Sequence, residues 1–169
     1  MDGNAAGRRA VRHFASGVAV LTVTTGARTP HGTTVSAVTA ISREPLLVGV
    51  CLHRRSSFVR HLGAAGRFSV SVLRAEQQGV AQWFADPGRP AGTAQFDPVP
   101  WQPDPRTGAP LLTGALAHFS CRLRDRLTLG DHDLLVAEVE TGAAGTGTPL
   151  LSFAGRLMSP EPEPIPRGA

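Results

Sequence analysis

"AHFSCRLRDRLTLGDHDLLVAEVETG", residues Ala117 to Gly142, decides the fold. In its first half Phe119, Cys121 and Leu123 alternate with His118, Ser120, Arg122 and Arg124, the period of two that marks a half-buried strand. Gly130-Asp131 is a good tight-turn pair. "DLLVAEVETG" then resumes as a second strand immediately after it. Two strands joined this closely run antiparallel, because a parallel pair needs a crossover of about a dozen residues or more.

The rest of the chain extends this reading. "VAVLTVTTG" is β-branched and apolar, "ARTPHG" reads as a turn, and "TTVSAVTAIS" resumes as a strand. "REP" breaks the chain before "LLVGVCLH", whose near-continuous apolar run suits a buried strand. "RFSVSVLR" alternates Phe68, Val70 and Val72 with Ser69 and Ser71, which predicts a half-buried strand with its serines outward. "TPLLSFAGRLM" closes the core.

Three stretches read as short helices. "NAAGRRAVRHFASG" carries a stripe of Ala10, Val11 and Phe14, with Gly17 at its C-cap. "SSFVRHLGAAG" places Phe58, Val59 and Leu62 on one side behind Ser56 or Ser57 as N-cap. "AEQQGVAQWFAD" stops at Pro87-Gly88. Between Pro87 and Pro110 the chain is rich in Pro, Gly and Asp, which predicts a flexible flap with an ordered patch at Phe96 and Trp101. The sum is a mainly β chain, a closed or partly closed antiparallel barrel with two or three short helices. Residues 1–158 form one domain, and the Pro/Glu-rich residues 159–169 form an extended or disordered tail.

Composition narrows the function. All 17 basic residues are arginine, and the net charge of +4 is spread along the chain without interleaved aromatics. That disfavours nucleic acid and suits anionic cofactors. No apolar run approaches the ~20 residues of a membrane span, and the N-terminus lacks the apolar region of a signal peptide. Cys51 and Cys121 form no CxxC and read as two buried thiols in a reducing cytoplasm. Gly145-Thr146-Gly147, the one GxG, runs into Thr-Pro with no helix behind it, so it is no Rossmann fingerprint. His118, Cys121 and His132 make no metal site, because parity puts His118 and Cys121 on opposite faces of a strand.

Three stretches together resemble the short-chain flavin reductases, the FMN-binding split-barrel family. They are "GTTVSAVTAISREPLLVGVCLH", "RRSSFVRHLGAAGRFSVSVLRAEQQGVAQWFA" and "GAPLLTGALAHFSCRLRDRLTLGDHDLLVAEV", in that order, across about Phe14 to Leu157. The resemblance implies an antiparallel Greek-key split barrel. Its activity would be that of an NAD(P)H:flavin oxidoreductase reducing FMN or FAD. It implies a homodimer that supplies diffusible reduced flavin to a partner monooxygenase, in biosynthesis or degradation of an aromatic compound. No arginine is obviously placed for a 2′-phosphate, which favours NADH over NADPH. The competing readings are a non-enzymatic flavin-binding protein and a flavoenzyme that reduces an organic substrate directly.

Residue by residue, the resemblance implies that Thr33, Thr34, Val35, Ser36, Ala37, Cys51, Leu52 and His53 line the isoalloxazine. It places Arg55, Ser56 and Ser57 near the flavin phosphate, Phe84 near the flavin edge and Arg156 at the cofactor in an undefined role. Short hydroxyls, free N–H groups and a guanidinium are the donors that a phosphate needs. Each residue also has a plainer reading. Ser57 is otherwise a helix cap, Cys51 core with backbone contact alone, Phe84 part of a helix's apolar stripe, and Arg54 and Arg55 solvated. His132 by itself is a polar residue at a strand start. The resemblance sets it beside the nicotinamide over the flavin, where it orients the ring for hydride transfer between the two cofactors. Three departures stand out: Ser36 where Asn is frequent, no lysine for a phosphate contact, and no aromatic after Arg156.

Overall fold

The computed structural model describes residues 4–63 and 66–160. The chain runs through α1 (Ala5–Val11), β1 (Ser16–Gly17), β2 (Ala19–Thr24), β3 (Pro30–Val35), β4 (Val38–Arg43), β5 (Leu46–His53), α2 (Ser57–Leu62) and β6 (Arg67–Val72). Then follow α3 (Gln78–Ala85), β7 (Trp101–Pro103), β8 (Pro110–Leu112), β9 (Ala117–Leu129), β10 (His132–Ala144), β11 (Leu151–Phe153) and β12 (Arg156–Met158). Seven strands form one antiparallel sheet in the order β3-β2-β6-β9-β10-β5-β4. Its backbone is the long β9–β10 hairpin, turning at Gly130, whose φ of 62° is a conformation glycine adopts without steric cost.

The two edge strands of this sheet, β3 and β4, are consecutive in the chain and separated only by Ser36 and Ala37. A sheet whose outermost strands are two residues apart must curl until its edges nearly meet. The Cys51 N–H, on β5, donates to Ala37 O at 3.1 Å and holds the crossing against β4's neighbour. Inside the curl lie Leu21, Val23, Val50, Phe68, Val70, Cys121, Leu135 and Ala137. The helix α2 contributes Phe58, Val59 and Leu62 to this same core. A second core, on the outer side of β2 and β3, joins Val18, Val20, Ala81, Phe84, Phe96 and Leu112. Strand β2 is therefore covered on both faces.

Several expectations need correction. Ser69 and Ser71 are fully buried, not outward to solvent. The segment after α3 covers them: Ser69 Oγ donates to Asp104 Oδ2 at 2.5 Å, and Ser71 Oγ accepts from Leu112 N at 3.1 Å. Alternation shows that a strand has two faces, but not that both are covered. The Pro87–Pro110 stretch is accordingly a fastened cover and not a loose flap. It contains a 3-10 turn over Gly92–Phe96 and the β7–β8 ladder, and Gln95, Phe96, Val99 and Asp104 are buried in it. The ordered patch is where it was expected, with the Phe96 and Trp101 rings 5.8 Å apart.

"TTVSAVTAIS" is two strands and not one, broken at Ser36–Ala37, and Pro30, His31 and Gly32 belong to a strand and not to the turn. The stripe of α1 is not buried: Val11 and Phe14 are 70% and 85% exposed, and Gly17 pairs in β1 instead of capping the helix. Cys51 is exposed and Cys121 buried, so only one of the two thiols is core. Residues 161–169, most of the expected tail, lie outside the described residues. No helix of the described residues is long and apolar enough to cross a membrane.

Candidate functional site

The crossing from β3 to β4 exposes backbone. On the outer edge of β3 the Gly32 N–H donates to Gln95 Oε1 at 2.9 Å, and Gly32 O accepts from the Arg89 guanidinium. Pairing in an antiparallel edge strand alternates. If Gly32 faces away from β2, so does Thr34, just beyond the reach of that cover. Thr33 and Thr34 are half-buried, Ser36 and Ala37 exposed, and Val35 is a core residue. The Thr34 hydroxyl is engaged with α3, donating to Ala81 O at 2.7 Å, which leaves its backbone as the free functional group.

At one end of the crossing lies a depression of about 280 Å³ lined by His31, Ser57, His61 and Arg89. Ser57 Oγ and His31 Nε2 are hydrogen-bonded at 2.9 Å. His61 Nδ1 donates to Ser57 O at 2.7 Å, one helical turn back along α2. The two imidazoles stack, with centroids 4.4 Å apart and planes 10° from parallel. Burial, reinforced by His61, Arg89 and Arg60, lowers the His31 pKa to about 4. Arg89 Nη1 donates to Asp86 O at 2.7 Å, and its Nε is buried with no partner among the described residues. A buried unpartnered donor beside a hydroxyl and an imidazole suits a phosphate oxygen.

At the other end stand the hairpin tip and β5. His53 and His132 are register partners, their rings 5.5 Å apart edge to face. His132 Nδ1 bonds Asp131 Oδ1 at 2.8 Å, and that bond holds the exposed Asp131 carboxyl below its ordinary range. Beside them a second depression, of about 550 Å³, is lined by His53, Arg54, Arg55, Arg126 and Asp131.

The predicted residues therefore separate into groups. Thr33, Thr34, Ser36 and Ala37 form the crossing, and His53 and His132 form one wall beside it. Ser57 and Arg55, expected at one phosphate, face different depressions. Ser56 is the N-cap of α2, its Oγ accepting from Phe58 N at 3.2 Å. Val35 and Leu52 point their side chains into the inner core, and the Cys51 amide is occupied by Ala37. Phe84 is fully buried against Phe96 and Gly32, packed as part of the apolar stripe of α3. Arg156 lies in the small β1-β11-β12 sheet, beside a separate depression with Phe153 and Met158. Among the described residues no group of His, Cys, Asp and Glu could hold a metal.

Sequence reasoning missed His31, His61, Arg89 and Arg126. The Ser57–His61 spacing of four was a usable signal on a predicted helix. Arg89, in a Pro- and Gly-rich stretch, carried none.

Residues 11–160 match the family model described as the flavin reductase like domain. An NADPH-flavin oxidoreductase of Streptomyces viridifaciens is 44% identical over 155 residues, covering 91% of this chain and 79% of that one. The flavin reductase component of a bacterial two-component tryptophan halogenase superposes with a TM-score of 0.85 at 36% identity, over 91% of this chain and 96% of that one. The NADH:FAD oxidoreductase of Streptomyces globisporus, solved with NAD and FAD fragments, gives a TM-score of 0.86 at 34% identity, over 92% of each chain.

Proposed function

The chain belongs to the flavin reductase-like domain family, and from that premise we propose how it works as an NAD(P)H-dependent flavin oxidoreductase that hands reduced FMN or FAD to a separate monooxygenase. The flavin ring lies along the Thr33–Ala37 crossing, where small side chains let the outward-turned backbone approach a flat ligand. Its phosphate enters the depression of Ser57, His61 and Arg89. The nicotinamide is held on the His53–His132 side. When bound, the flavin supplies the redox chemistry, taking hydride from the dihydronicotinamide.

The observation that carries this layout is the position of the crossing. His31 stands two residues before Thr33, and Cys51, hydrogen-bonded to Ala37, stands two residues before His53. A ligand on the crossing thus reaches a phosphate-suited depression at one end and His132 at the other. His132, held by Asp131, positions the nicotinamide; it need not exchange a proton for hydride to move. The open, shallow setting of the site suits a flavin that leaves after reduction.

The arrangement is completed by a homodimer in a reducing cytoplasm, which is supported by an uncovered apolar sheet face and by two free thiols. FMN and FAD share the ring and first phosphate and are both accommodated. Anaerobic titration with NADH in the presence of FMN or FAD tests the reading: the flavin should bleach stoichiometrically, and aerobic turnover should saturate with added flavin. Retained flavin with no turnover would make the protein a carrier instead. In His132→Ala the KM for NADH should rise about tenfold, equivalent to about 1.4 kcal/mol, with flavin affinity unchanged. Unaltered kinetics would remove His132 from the site.

A further inference from the structure

β3 has two ends, and only one of them reaches the flavin crossing. At the other, the turn from β2 to β3 meets the cover, and between them lies a depression of about 300 Å³ whose walls include Arg28, Pro30, Thr93, Trp101 and Pro110. Pro30 begins β3 and Thr34 stands four residues on, so the two places are about 13 Å apart along the strand. None of the residues assigned to the flavin or the nicotinamide lines this depression.

Its walls are held in place from both sides. Thr24 Oγ1 donates to Gly108 O at 3.0 Å and fastens the cover to the end of β2. The turn is closed by Thr25 N donating to Thr29 O at 3.1 Å and Arg28 N donating to Thr25 O at 2.8 Å. Trp101 is braced by Phe96 and stays 37% exposed, so it presents a flat apolar surface.

The polar groups on this lining are donors with no acceptor. Among the described residues the Arg28 guanidinium forms no ion pair or hydrogen bond, and neither the Trp101 indole N–H nor the Thr93 hydroxyl is engaged. Trp83, the other tryptophan, spends its N–H on Gln95 O at 2.7 Å. The lining holds no carboxylate to pair with Arg28. Arg28 also has a φ of 57°, in the left-handed region that glycine or asparagine enters at less cost. The turn gains nothing from an arginine at this position, which directs attention to what its side chain does.

We propose that this depression binds a single-ring aromatic carboxylate, its ring against Trp101 and its carboxylate on the Arg28 guanidinium. A guanidinium pairs with a carboxylate through two parallel N–H donors, and the Thr93 hydroxyl and the indole N–H supply further donors. The volume stands at the lower end of small-molecule sites, which gives room for one ring and its acid group but not for a dinucleotide. Inorganic phosphate would use Arg28 and leave the indole in water. An uncharged ring would use the indole and leave the guanidinium unpaired. An aryl carboxylate uses both.

The probes are benzoate, benzyl alcohol, which keeps the ring without the charge, and acetate, which keeps the charge without the ring. Benzoate should bind once per chain with a Kd of about 1 mM, within reach of a ligand of roughly nine non-hydrogen atoms. Benzyl alcohol and acetate should bind at least tenfold more weakly. In nitrogen-15-labelled protein benzoate should move the indole resonance of Trp101 and leave that of Trp83, the two being assigned with Trp101→Phe. Arg28→Gln, checked for an unchanged melting temperature, should weaken benzoate at least tenfold and keep the wild-type affinity for FMN. Saturating FMN should not displace benzoate. A Trp101 resonance that stays still at about ten times the expected Kd, equal benzoate affinity in Arg28→Gln, or displacement by FMN would each overturn the assignment. Protein that binds benzoate in this way but reduces neither flavin would defeat the reductase reading alone and still support this site.

Discussion

His31 is buried, faces Ser57 and stacks on His61, with Arg89 and Arg60 close enough to repel a second positive charge. Its pKa is lowered from 6.5 to about 4, chiefly by burial and then by these neighbours. The folded state therefore binds this proton less readily than the unfolded chain does. Above about pH 6.5 both states are neutral and His31 makes stability independent of pH. As the pH falls from 6.5 towards 4 the unfolded state gains a proton that the folded state refuses, and stability declines by up to about 3 kcal/mol. Urea midpoints of the unliganded protein should fall across that window. His31→Gln, which keeps a polar partner for Ser57, should flatten the slope. An equal slope in wild type and variant would show that other groups titrate there. Asp104, Asp131 and Asp133 are all held below the ordinary carboxylate range and lose their contribution at lower pH than His31 does. This histidine was invisible in the sequence because "PHG" has the composition of a turn. Ser57 and His132 were legible because each stands next to an element boundary that pattern and turn chemistry mark.

The cover from Gln95 to Leu112 is fastened to the sheet by hydroxyls that a strand pattern assigns to solvent. Asp104 is the centre of the fastening. Burial alone would raise its pKa, but it accepts from Ser69 Oγ at 2.5 Å, Ser120 Oγ at 2.7 Å and Arg106 N at 2.8 Å, and these bonds hold it low. Thr22 Oγ1 adds a bond to Pro110 O at 2.6 Å. Replacing Asp104 by Ala removes the charged acceptor shared by Ser69 Oγ, Ser120 Oγ and Arg106 N, leaving Ser69 with Thr107 Oγ1 and Ser120 with Thr141 Oγ1, at a cost of about 2–3 kcal/mol. The midpoint in urea should drop accordingly, and proteolysis should begin within the cover before the barrel is cut. A global loss with no early cleavage there would mean that the cover and barrel are one cooperative unit. The contrast explains what could be read at this scale. Strands β2, β5, β6, β9 and β10 and helices α2 and α3 follow from periodicity and capping, which are local, whereas the stripe and C-cap read for α1 are not what the fold uses. The cover follows from pairings between residues as far apart as Thr22 and Pro110, and no local signal encodes them.

For the whole molecule, the decisive fact is the outward face of β4, β5, β10 and β9. Val48 and Val50 point inward, so Leu47, Gly49, Cys51 and His53 point out. A side chain added at Gly49 would meet Ile41 Cδ1 at 2.9 Å and Leu134 Cδ1 at 3.2 Å, which places both on that outer face. Leu127 is the register partner of Leu134, and Leu129 that of His132. Ile41, Leu127 and Leu129 are 47%, 44% and 57% exposed. An apolar surface of this kind, continuous across four strands and charged mainly at its far end, is a feature that isolated monomers rarely leave in water. A second copy seated on it would cover these side chains and would stand against His132 and His53 as a further wall of the site. Dimerisation was expected from resemblance alone; the face is visible only once register shows which residues of each strand share a side. Ile41→Glu/Leu127→Glu places carboxylates where the contact would dehydrate them, so light scattering should change from dimer to monomer with the circular dichroism spectrum retained. A partner copy on this face would wall the nicotinamide side, so loss of such a dimer should raise the KM for NADH. Wild-type protein that sediments as a monomer, or a monomeric variant with unaltered kinetics, would show that one chain forms the complete site.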